Sequence, residues 1–131
     1  MGKRGFALIE IMVVVGIVAL LSSLATPGLL GAKKTANEGA AKAAVRTLSS
    51  SAETYSISHG SAYPEDVDSL AEYLTSVHSY CADAVGTQTA VRGYNYACTM
   101  SRGGYIFEAS PISNATGSVT YTATTGGVLT P

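Results

Sequence analysis

From Phe6 to Ala25 the chain runs for twenty residues with a single charge, Glu10, near the start of the run. A helix rises ~1.5 Å per residue, so this stretch reaches about 30 Å, the thickness of the hydrocarbon core of a bilayer. A lone carboxylate in that setting costs about a few kcal/mol unless a partner meets it. The run therefore predicts an element that lives in an apolar medium, with Glu10 as the group that requires a partner. Lys3 and Arg4 precede the run and place the leader on the cytoplasmic side by the positive-inside rule.

Past this run the pattern changes. Ala36, Ala40, Ala44, Leu48, Ala52 and Tyr55 recur at spacings of four and three, which marks one face of a helix, and Lys34, Glu38, Lys42, Arg46 and Glu53 fall on the other side. These spacings predict one long helix ending near Ser58. It is apolar all round over residues 6–26, a membrane-spanning or assembly segment, and amphipathic over 27–58. Pro27 interrupts it, because proline offers no N–H to the carbonyl four residues back and its ring crowds that turn. Gly16, Ala19 and Ser23 form a seam of small residues where a second helix could approach.

Residues 59–131 read as a globular head. His59 to Pro64 is turn material, and Pro64 with Glu65, Asp66 and Asp68 reads as the opening of a short helix to about Thr75 that buries Leu70, Tyr73 and Leu74. The acidic residues there suit a helix start and lack the alternating ligands and central glycine of a calcium loop. Three alternating segments follow, at Gly93–Cys98, Gly104–Ser110 and Ser118–Thr125. Their inward residues are Tyr94, Tyr96 and Cys98, then Tyr105, Phe107 and Ala109, then Val119, Tyr121 and Ala123. Short glycine-containing links favour an antiparallel meander. Such a sheet laid on an amphipathic helix gives an α+β class.

Charge and composition exclude several functions. The chain carries 8 basic and 9 acidic residues, with no basic stripe for nucleic acid. His59 and His78 lie near no nucleophile motif, and the glycine pairs lack a phosphate-loop context, so neither catalysis nor a cofactor is expected. Cys81 and Cys98 are the two cysteines. With the leader inside, they face an oxidising compartment, where a disulfide is expected; two buried free thiols are the alternative, and no metal spacing is present. Most of the eight tyrosines fall at core positions. Asn114-Ala115-Thr116 matches a glycan acceptor pattern. After Glu108 there is no further charge, a neutral Ser/Thr-rich surface open to packing, glycosylation or adhesion.

Gly5-Phe6-Ala7-Leu8-Ile9-Glu10, after a short basic leader and before an apolar run that ends at Pro27, resembles the N-terminal signature of type IV pilins and type II secretion pseudopilins. The resemblance is specific from residue 3 to about residue 55 and architectural beyond; Ala7 stands where the family often has Thr. It implies cleavage between Gly5 and Phe6, which releases residues 1–5, and N-methylation of Phe6, both by a prepilin peptidase/N-methyltransferase. It also implies single-pass residence in the bacterial inner membrane, an inner-membrane assembly platform and polymerisation into a homo-oligomeric helical filament. In such filaments Glu10 would pair with the Phe6 amine of an adjacent subunit, and the zone around Pro27 can lose helicity.

The expected function is a non-enzymatic subunit of a type IV pilus, an extracellular filament at the cell surface. The head has no Trp and no Asp-Pro-Trp-Gly-like motif of the kind many major pseudopilins show, which ranks a type II secretion pseudopilin second. A secreted binding domain cut after Ala25, behind Ser23-Leu24-Ala25, is the rival from another class.

Overall fold

The computed structural model describes residues 2–82 and 87–131, with side chains from Ala7 onward. One helix of 57 residues, α1 (Gly2–Ser58), is followed by a short helix α2 (Val67–Ala71), a 3-10 turn at Val77–Ser79 and five strands. Two compact units are present, Met1–Lys33 and Lys34–Pro131.

In the first unit α1 is apolar on every side, and its large side chains stand in the open: Leu8, Met12 and Leu24 are each at least two-thirds exposed. The hydroxyls in this stretch turn back on their own helix. Ser22 Oγ donates to the Val18 carbonyl at 2.8 Å, Ser23 Oγ to Leu20 at 2.8 Å and Thr26 Oγ1 to Ser22 at 3.1 Å. Each thus finds a partner without water, as an apolar surrounding demands. The helix continues through Pro27, where an interruption was expected; the missing bond to Ser23 costs one link in a ladder whose neighbours on both sides stay closed.

In the second unit α1 is one-sided. Its buried stripe is Ala41, Ala44, Val45, Leu48 and Ala52, with Ser49 and Ser56 buried beside them. This stripe is rotated from the expected one: Ala36 is exposed and Tyr55 only half-buried. The error came from following small residues every fourth position, a path that drifts off a helix of 3.6 residues per turn.

The strands β1 (Thr89–Val91), β2 (Tyr94–Ser101), β3 (Gly104–Pro111), β4 (Tyr121–Thr124) and β5 (Val128–Thr130) make one antiparallel sheet in sequential order, β1-β2-β3-β4-β5. The expected meander and α+β class are therefore the observed ones. Arg92 and Gly93 both have positive φ, 49° and 80°, the two-residue link that matches strand twist between β1 and β2. Tyr94, Tyr96, Cys98, Tyr105, Phe107, Ala109 and Ala123 form the inner face and share one core with the α1 stripe, Val67, Leu70 and Val77.

Three expectations need correction. The short helix is not opened by Pro64. Asp66 caps it, accepting from the Ser69 N–H at 2.7 Å, and it ends at Ala71 rather than Thr75. Asp66 wins because a carboxylate at the cap satisfies a free helix N–H, which a proline ring cannot do. Tyr73 is consequently 38% exposed and not part of the buried face. The third strand begins at Tyr121, not Ser118, because residues 113–117 close a turn in which Thr116 N donates to the Ser113 carbonyl at 3.0 Å. Strands β1 and β5 had no counterpart in the expectation, being three-residue edges too short to show alternation.

Candidate functional site

In unit 1 the candidate assembly element is the exposed apolar helix itself. The stretch from Ala7 is long and apolar enough to cross a membrane and is not buried within the chain. Glu10 is exposed on it, one helical turn after Phe6. Of Gly5 and Phe6, the expected processing pair, the structure describes only the helical backbone. Pro27 sits within the helix, past the hydroxyl-bearing stretch.

In unit 2 the helix is latched to the C-terminal part of the head by two carboxylates that accept from N–H and O–H groups. Glu53 is half-buried. Its Oε1 accepts from Tyr105 Oη at 2.7 Å and from the Gly126 N–H at 2.8 Å, and Tyr63 Oη donates to Oε2 at 3.1 Å. Tyr105 Oη also lies 2.8 Å from Ser49 Oγ and accepts from the Gly127 N–H at 3.2 Å. Since the phenol has one proton and gives it to Glu53, the Ser49 hydroxyl must donate to Tyr105. Every polar group in this cluster then has a partner.

The second latch lies fifteen residues earlier on α1, about 22 Å along the helix. Glu38 Oε1 accepts from both the N–H and the hydroxyl of Ser118, each at 2.9 Å. These bonds, first the backbone N–H and then the hydroxyl, hold the Glu38 carboxyl below its ordinary value, and Lys34 adds to the effect. Asn37 Nδ2 donates to the Thr116 carbonyl at 3.2 Å, and Tyr94 Oη to the Val119 carbonyl at 3.0 Å. Burial pushes the Tyr105 and Tyr96 phenols up to about 12. Sequence reasoning placed Glu38 and Glu53 on the solvated side of α1. The signal that could have moved Glu53 is its position next to Ala52, at the border of the buried stripe.

Cys81 and Cys98 are joined in a disulfide with Cα atoms 5.5 Å apart and a sequence separation of 17. It ties the segment after the 3-10 turn to the inner face of β2. His59 stacks on Tyr55, ring centroids 3.9 Å apart, and its Nδ1 lies 3.2 Å from the exposed Ser58 Oγ; His78 Nε2 lies 3.6 Å from Asp68. Among the described residues no group of three or more His, Cys, Asp or Glu gathers to hold a metal. Asn114 is exposed in the turn before β4.

Residues 1–26 match the family described as "Prokaryotic N-terminal methylation motif". By this segment the chain belongs with the type IV pilins and type II secretion pseudopilins. Among curated proteins it is similar to the type II secretion system core protein G of Pectobacterium carotovorum subsp. carotovorum, at 36% identity over 73 residues, 56% of this chain and 46% of that protein. The protein of the same name from Dickeya chrysanthemi is 40% identical over 62 residues, 47% of this chain and 40% of that one. The one from Escherichia coli (strain K12) is 36% identical over 76 residues, 56% and 52% of the two chains. The chain thus spans about half the length of the curated relatives it matches. No solved structure matches it. These names weigh toward type II secretion, the alternative to the pilus in the sequence analysis.

Proposed function

We propose that this chain is a non-enzymatic subunit of a type II secretion pseudopilus, built into its filament through α1. One observation carries the reading. An apolar helix from Ala7 onward stands exposed in the single chain and bears one carboxylate, Glu10, and the relatives that share the chain's sequence are named for that secretion system. An exposed apolar surface of this size is covered either by lipid or by other helices. Before assembly lipid covers it, with the chain anchored in the inner membrane; afterwards the α1 helices of neighbouring copies do.

In this reading a prepilin peptidase cuts between Gly5 and Phe6 and methylates the new amine. Glu10 of a neighbouring subunit then meets that amine in the filament core, where each charge offsets the desolvation of the other. An inner-membrane platform lifts the subunit, and the zone around Pro27 gives where the filament bends. The head, residues 59–131 with the second half of α1, faces outward.

The pilus reading retains one argument, the head without a Trp-containing loop motif. Deleting the gene in its native host separates the two. Loss of exoprotein release with surface pili intact supports the pseudopilin, whereas intact secretion with loss of pili overturns it. N-terminal sequencing of the mature chain checks processing: Phe6 is expected, and Thr26 would mean a secreted domain instead.

A further inference from the structure

We infer that the head carries a cationic groove, built on Lys42 and Arg46, that receives the acidic pair Asp68 and Glu72 of a second copy of this chain. The inference rests on the filament reading above and assigns one contact within it.

The groove has a volume of about 310 Å³ and is lined by Lys42, Arg46, Tyr121, Leu129 and Pro131. Lys42 and Arg46 are exposed and stand one turn apart on α1. Neither takes part in an ion pair among the described residues, whereas Arg102 is paired with Glu65 at 3.3 Å. Tyr121 and Leu129 give the groove an apolar wall, where a charge pair is screened less than on open surface.

The acidic pair mirrors this spacing. Asp68 lies in α2 and Glu72 is its C-terminal cap, still in helical conformation at φ −62° and ψ −31°. The two carboxylates are therefore also one turn apart, about 6 Å between side-chain roots, as are the two cations. Asp68 is 90% exposed at its side chain, facing His78 at its edge, and Glu72 is exposed. Two cations and two anions at equal spacing can pair in register, Lys42 with one carboxylate and Arg46 with the other. The planar guanidinium is suited to grip its carboxylate through two N–H bonds.

A second copy is the occupant because one chain bears both halves of the contact. The groove and the acidic pair are different patches, so the contact is head-to-tail and propagates from copy to copy without closing. A filament supplies the high local concentration that lets weak pairs act together.

The test uses full-length chain assembled in cells, with half the copies isotopically labelled. Sheared filaments are treated with a carbodiimide, which joins an amine directly to a touching carboxylate, and digested for mass spectrometry. Mixed-label peptides joining Lys42 to Asp68 or Glu72 are expected from filaments and not from unassembled membrane precursor. The double variant Lys42→Glu/Arg46→Glu should lower filament yield about tenfold, and adding Asp68→Lys/Glu72→Lys should restore it. Lys42→Arg should assemble normally while losing the cross-link. Disulfide formation in each variant reports that its head has folded. Wild-type filaments that lack the cross-link, or Lys42→Glu/Arg46→Glu chains that assemble at wild-type levels, overturn the contact alone. A wild-type chain that yields no filament under either machinery overturns the filament reading and the contact with it.

Discussion

The two halves of α1 share one helix and follow opposite rules. Residues 7–33 are apolar all round and find no cover within the chain, whereas residues 34–58 are apolar along one stripe that the head's own sheet covers. What the first half lacks, a membrane or another copy must supply. The second half is finished within the chain. The lesson is that all-round apolarity signals an element stabilised by its surroundings, and one-sided apolarity an element stabilised by its own domain.

The largest test of this contrast is Glu10→Leu. It removes the one charge in the apolar run, so insertion into the membrane should equal or exceed that of the wild type. Incorporation into filaments should collapse by tenfold or more (about 1.4 kcal/mol per tenfold), as the incoming Phe6 amine meets no carboxylate. Glu10→Asp should fall between. Cell fractionation with electron microscopy decides, and normal filaments from Glu10→Leu would sink the pairing.

The next pair of variants compares a leucine from each half. Leu48, fully buried, should cost about 2–5 kcal/mol of head stability on conversion to Ala. Leu20→Ala, at a site 68% exposed, should leave thermal unfolding of the head unchanged. Equal effects would erase the distinction between the halves. Removing the disulfide by Cys81→Ser with Cys98→Ser should cost about 3 kcal/mol in the chain-entropy model. Denaturant unfolding with and without reductant measures it. Glu53→Gln keeps the shape of the first latch but weakens its charge-assisted bonds, with an expected loss of about 1–3 kcal/mol; a silent Glu53→Gln would reduce that latch to a bystander.

The smallest effects are those of pH. Glu38 and Asp66 are held below their ordinary values by bonds to Ser118 and Ser69 respectively. Their contribution is present above the unfolded carboxylate range and is lost as pH falls through the lowered folded values. Tyr96 and Tyr105 titrate at about 12 in the fold against 10.0 ordinarily. Their contribution is complete below pH 10 and is lost as pH rises toward 12. Thermal melts across pH should show a plateau between these two flanks, and a head that gains stability at either flank would contradict the latch geometry.

The apolar run, the single long helix and the inward faces of β2 and β3 were legible because each follows one period over many residues. The rotation of the α1 stripe was not, since alanine and serine are so abundant between residues 36 and 58 that a straight path every fourth residue fits nearly as well as the true one. Strands β1 and β5 escaped because three residues cannot display a period. Glu38 and Glu53 escaped for a different reason. A charged residue at the border of a helix face looks solvated until the backbone N–H that meets it, here from Ser118 and Gly126, is located 80 and 73 residues away.

Those separations bear on how the molecule comes into being. The sheet is a chain of neighbouring hairpins, so its strands meet over short loops and zip quickly. The helix is another matter, because Ser118 and Gly126, the partners of Glu38 and Glu53, lie 80 and 73 residues further along the chain. Residues from α2, β2 and β3 can cover the stripe from Ala41 to Ala52 before β4 and β5 join, but neither carboxylate has its N–H partner until residues 118 and 126 are in place. A chain caught before its sheet has docked shows an apolar helix face to its surroundings and is vulnerable to aggregation and proteolysis. The two carboxylate latches therefore close only after the segment carrying Ser118 and Gly126 has joined the head.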